Sequence, residues 1–277
     1  MFALELIAAA AVPFDAASDS RARHAQLVTP PRSQVSAVAK SLVVGGRTVR
    51  LGGLGGPASD RLLSRVASDI GAAVNAVEAF WGVDWSRDIS VLAAGSDEQF
   101  RAAAGGGAPP QWADIAAVTV ADRVDPTHRV AVGQRIVFAP GAANMNEAAL
   151  RIVLTHELFH YAARADTAPD APRWLTEGVA DFVARPQIPV PADALPVPLM
   201  LPADDDLDAP GPQRSLAYDR AWWFARFVAD TYGTTKLHDL YLAGCGVRHV
   251  DMPTAVHDVL DVDPSGLLVG WHQWLTG

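Results

Sequence analysis

The spacing of apolar and polar positions changes along this chain, and each change marks an element. Residues 41–44 and 48–51 are short β-favouring runs on either side of Gly45-Gly46, which predicts a hairpin. Residues 52–56 read as a glycine-rich turn. From residue 60 to 81 the period becomes helical, with Leu62, Leu63, Val66, Ile70, Val74, Val77 and Phe80 on one face. Residues 89–92 read as a strand. Residues 102–110, with three successive glycines, read as a loop, and 115–120, 129–132 and 135–139 as further strands. Segment 116–120 is the candidate edge strand, because it comes just before the loop and strand that lead into the next long helix, and an interior strand is the equal alternative.

That helix is expected over residues 145–165. Asn144, with Glu147 three residues later, makes a capping box; an unbroken apolar run follows, and Pro169 and Pro172 stop it. Asp170 with Pro172 suits the start of another helix, carrying Trp174, Leu175, Val179, Phe182 and Val183 and ending near Arg185-Pro186. A later helix opens at Ser215 and runs to about residue 230, and helices continue to Trp274. Sheet elements therefore precede helices, which predicts an α+β fold. A small mixed sheet with its helices fills residues 40–165, and a mainly helical half fills 166–277. Ahead of them, residues 1–12 are nearly all apolar but too short to span a bilayer, and no Lys or Arg precedes them. Residues 13–35, with Pro13, Pro30 and Pro31, form a linker, so 1–39 stand apart from a domain over 40–277. A normal signal peptide is not evident: the apolar start suits a weak or truncated export signal to the cell envelope or medium, or a helix that packs on the body, with the cytoplasm as the alternative location.

Composition narrows the partners. At 277 residues, half of them hydrophobic, the chain can bury a sizeable core. A net charge of −9 argues against nucleic acid or an anionic membrane as the main partner. Nothing in the sequence fixes an oligomeric state. A single cysteine, Cys245, excludes an intrachain disulfide. The acidic run Asp204-Asp205-Asp206-Leu207-Asp208 lacks the glycine and closing glutamate of a calcium loop and reads as a solvated loop.

The chemistry is concentrated on the two central helices. His156-Glu157-Leu158-Phe159-His160 places two imidazoles four residues apart, on one helix face, where both can hold a single metal ion. Glu157 lies one step round the helix, within reach of a water on that ion. Across the turn, Glu177 and Asp181 share a face. If the two helices pack antiparallel, Glu177 completes a His-His-Glu set with one position open, and Asp181 can accept the free ring N–H of a ligand histidine. Gly178 would let the two helices approach closely. His, His and carboxylate suit one zinc ion. Tyr218 lies near the start of the later helix, where core packing or a helix-start hydrogen bond is its plain reading. Tyr161 points off the ligand face, and Arg220 reads as a surface arginine.

These residues resemble the gluzincin metallopeptidases. The resemblance runs over about residues 135–185 and is carried by His156–His160 and by Trp174-Leu175-Thr176-Glu177-Gly178-Val179-Ala180-Asp181. The tryptophan-bearing second motif looks most like compact bacterial members of that clan. It implies a zincin-like fold and a zinc ion on His156, His160 and Glu177. It further implies Glu157 as general base, Asp181 behind His156, Tyr218 facing the metal to stabilise a developing oxyanion, and peptide substrate lying along an edge strand. The chain departs from the aminopeptidases of the clan. Their Gly-x-Met-Glu-Asn element is scrambled here, at residues 141–147, and too close to the helix start.

Rival readings are weaker. A metzincin-like site needs glycine at 163, where Ala163 stands, although Asp166 could ligate. A cysteine-ligated site fails because Cys245 comes far after the histidines. His238, His249, His257 and His272 have no partner at ligand spacing. A non-catalytic protein that keeps a structural metal is the rival from another class, and it has no use for Glu157.

Overall fold

A computed structural model describes residues 40–108, 112, 115–191 and 200–277. The apolar start and linker expected over 1–39 lie outside these residues. The hairpin forms as expected from β1 (Lys40–Val44) and β2 (Arg47–Gly53), turning on Gly45 and Gly46, both with positive φ. β2 runs further than the glycines predict, because Gly52 and Gly53 pair in parallel with Leu92 and Ala93 of β3 (Asp88–Ala93). Helix α1 (Gly56–Trp81) consequently starts earlier than expected, with a proline in its first turn, and buries the face read from the sequence.

Helix α2 (Asp97–Ala103) takes the start of the expected loop. The Ser96 side chain caps it by accepting from the Gln99 N–H. Strand β4 (Ala117–Val120) is followed by β5 (Arg123–Asp125) and β6 (Val130–Val132), which pair with each other rather than joining the main sheet. β7 (Arg135–Phe138) completes a five-stranded mixed sheet in the order β1-β2-β3-β7-β4. The segment expected at an edge does lie there, with β4 antiparallel to β7. One sheet face packs on α1 and on the central helix α3 (Glu147–Ala163); the other carries Val118 and Val137 against Phe100 and Trp112.

The cap of α3 is not where the sequence pattern places it. Pro140 opens a 3-10 turn, Pro140–Asn144, that consumes Asn144. Asn146 caps instead, accepting from the Ala149 N–H at 2.8 Å. Glu147 is then the first helical residue and cannot close a capping box. α4 (Arg173–Ala184) follows, then α5 (Asp204–Leu207), α6 (Pro212–Tyr232), α7 (Thr234–Cys245), α8 (Met252–Leu260) and α9 (Pro264–Thr276).

The acidic run is therefore not a plain solvated loop. The Asp204 carboxylate accepts from the backbone N–H of Arg173 at 3.0 Å and of Trp174 at 2.8 Å. It caps α4 from a distance, a role expected of Asp170. The fold is thus mixed α/β with a small N-terminal sheet. Among the described residues, no helix is long and apolar enough to cross a membrane.

Candidate metal centre

α3 is apolar on nearly every side, so it runs through the core rather than over it. The polar groups it carries are therefore buried, and buried polar groups must find partners. α4 packs beside α3 and supplies them. His156 Nε2 lies 3.1 Å from His160 Nε2 and 3.2 Å from Glu177 Oε2, and His160 Nε2 lies 3.4 Å from Glu177 Oε1. A tetrahedral ion with bonds near 2.0–2.1 Å sets its ligand atoms about 3.3 Å apart. The three side chains already have that spacing, and Glu177 Oε1 is buried with no hydrogen-bond partner. The group can hold a metal ion, and its residues are only 1–5% exposed.

Asp181 Oδ1 lies 2.9 Å from His156 Nδ1, which fixes the ring with Nε2 facing the group. Its other oxygen is 3.0 Å from Arg185 Nη2, and Arg185 Nη1 donates to Asp219 at 2.7 Å. Arg185 is four residues beyond Asp181 on the same helix, a spacing that could have flagged it. Burial would lower the His156 pKa, but the Asp181 and Glu177 carboxylates outweigh it and raise it to about 10. Burial would raise Glu177, yet His160 and His156 bring it down to about 2. In the metal-free protein the cluster is thus an ion-paired network.

Glu157 is fully buried, and burial pushes its carboxyl up, partly offset by His156, His160 and a bond from Thr119. Thr119 Oγ1 is 2.8 Å from Glu157 Oε2, while Glu157 Oε1 has no partner. Thr119 itself offered no signal in the sequence. Tyr218, in the first half of α6, is buried. Burial, then the nearby Glu177 charge, raises its hydroxyl far above the ordinary range, so it stays a proton donor. Arg164 near the site donates to the Thr119 carbonyl at 3.1 Å and, among the described residues, has no carboxylate in ion-pair contact.

One expectation is corrected and one rival reading is set aside. Gly178 serves α6 rather than α3: a Cβ there would collide with the Ala221 carbonyl oxygen. Asp166, the possible metzincin-type ligand, pairs instead with Arg129 and lies outside the metal-holding group. Comparison with known proteins finds no family model that matches the chain and no curated protein significantly similar to it.

Proposed function

We propose that this protein is a zinc-dependent hydrolase of peptide bonds, with a gluzincin-type site on a zincin-like fold. One observation carries the reading: three buried ligand side chains converge, Glu177 meeting His156 through Oε2 and His160 through Oε1, beside a glutamate whose Oε1 is unpartnered. Three protein ligands leave a fourth position, the arrangement of catalytic rather than structural zinc sites. A zinc ion held by His156, His160 and Glu177 would supply Lewis acidity and lower the pKa of a water from ~15.7 towards ~7. Glu157 takes a proton from the attacking water and returns it to the leaving amine, a task that suits a carboxyl raised by burial. Tyr218 donates its hydroxyl to the developing oxyanion.

Substrate lies extended along β4. Ala139 N–H bonds the Ala116 carbonyl, so the ladder alternation turns the Ala117 and Thr119 backbone groups outward. Arg164 occupies the Thr119 carbonyl and Ala117 is wholly buried, so a substrate pairs along this edge only once the groups covering it move aside. A cavity of about 490 Å³ opens at the start of this strand, lined by Phe100, Trp112, Ile115 and Met145 together with the charged Asp97 and Arg101, and can take a substrate side chain.

The deep burial of the ligands favours a second reading, a closed structural metal site without turnover. Zinc analysis and a quenched-fluorescence peptide library, run on wild type and Glu157→Gln, separate the two. One zinc per chain in both proteins, with cleavage lost at least 100-fold in the variant, is expected for the hydrolase. Equal cleavage by both, or none by zinc-loaded wild type, would remove it.

A further inference from the structure

Thr119 joins the edge strand to the helix that carries the site. Its Oγ1 is 2.8 Å from Glu157 Oε2 and 2.8 Å from the Glu157 backbone carbonyl oxygen, and the residue is almost wholly buried. Its own carbonyl accepts from Arg164 on α3's C-terminal side. Glu157 and Arg164 are seven residues apart, close to two full turns, and so lie on nearly the same stripe of the helix. One strand residue is thus gripped at two points by one helix face.

A valine would fill this place with nearly the same shape and no polar atom. The buried hydroxyl therefore costs stability unless a partner repays it, and its one proton is shared between the Glu157 carboxylate and the Glu157 backbone carbonyl. The two carboxylate oxygens are treated differently as a result. Oε2 is fixed by the hydroxyl, whereas Oε1 is buried and unpartnered. Of the two oxygens, Oε1 is therefore the one that can accept from a proton donor. The β-branched Thr side chain has a stiff χ1, and it stands on a strand held by the sheet, so the restraint on Oε2 is firm.

We propose that Thr119 is the positioning residue for Glu157: by holding Oε2 it aims Oε1 at the water that attacks the substrate. The proposal rests on the hydrolytic reading above and adds to it the identity of the reacting oxygen. Misplacement of a base by about 1 Å is enough to cost on the order of 100-fold in rate.

Full-length wild type, Thr119→Val, Thr119→Ser and Glu157→Gln are compared for zinc content, thermal unfolding, and kcat and KM on one fluorogenic peptide selected from the library with wild type. Thr119→Val is expected to keep its zinc and lose about 10- to 100-fold in kcat, with KM within about 2-fold. Thr119→Ser, which keeps the hydroxyl, should recover most of the rate. If Thr119→Val does not fold, Thr119→Ala is set against Thr119→Ser for the same comparison. Wild-type kcat without the hydroxyl, while Glu157→Gln is inactive, would overturn the proposal and leave the hydrolase standing. Activity in Glu157→Gln, or none in zinc-loaded wild type, would overturn both.

Discussion

The ring of His156 is held from both ends: Nδ1 faces Asp181 and Nε2 faces Glu177 and His160. Asp181 fixes the tautomer that points Nε2 at a metal, and Arg185 pairs with the other Asp181 oxygen. Asp181→Ala should therefore weaken zinc by about 10- to 100-fold without removing a ligand. Glu177→Ala, which removes one, should weaken it more. Competition against a chromophoric chelator measures both, and an unchanged affinity in Asp181→Ala would show that Asp181 has no part in holding the ligand. His156, Glu157, His160, Glu177 and Asp181 are legible in the sequence because each lies within a turn or two of another on one helix, where spacing alone fixes a shared face. Thr119 meets Glu157 and Arg164 only through the packing of β4 on α3, which no local period records.

At the scale of elements, the placement of Glu177 depends on how α4 begins. Its first turn contains no capping side chain of its own; the Asp204 carboxylate takes two of its free N–H groups from thirty residues away in the sequence. Asp204→Ala should cost about 0.5–2 kcal/mol, a lower Tm by a few degrees in a chain of this size. Asp205→Ala, at an exposed position next door, should leave Tm within about 1 °C. Equal effects from the two would show that the cap contributes nothing. The hairpin, α1, β3, β4 and α3 are readable from period and breakers. The cap of α3 is not, because Pro140 starts a short turn that a count of capping residues overlooks, and Asn146 is as good a cap as Asn144. Strand order is likewise unreadable: β7 inserts between β3 and β4 through contacts distant in the chain.

For the molecule as a whole, the buried cluster links pH, metal and stability. Without metal, the folded-state pKa of His156 is raised from 6.5 to about 10, so its contribution is fully present below 6.5 and is lost as pH rises towards 10. Glu177 is lowered from 4.5 to about 2, so its contribution is present above 4.5 and is lost as pH falls towards 2. The metal-free protein should be most stable between about pH 4.5 and 6.5 as far as this cluster decides it, with Tm falling from pH 6.5 to 10. Zinc requires neutral His156 and ionised Glu177, and must displace the proton that Asp181 and Glu177 hold on the ring. Its affinity should therefore climb with pH over the same range, by up to about 10-fold per unit for one proton released. Saturating zinc should remove the fall in metal-free Tm, because the ion then neutralises the carboxylates in place of the proton. Thermal unfolding at pH 6 and 9, with and without zinc, tests the linkage. Parallel decreases in Tm with and without the ion would place the pH sensitivity elsewhere in the chain and break the tie between the histidine cluster and metal.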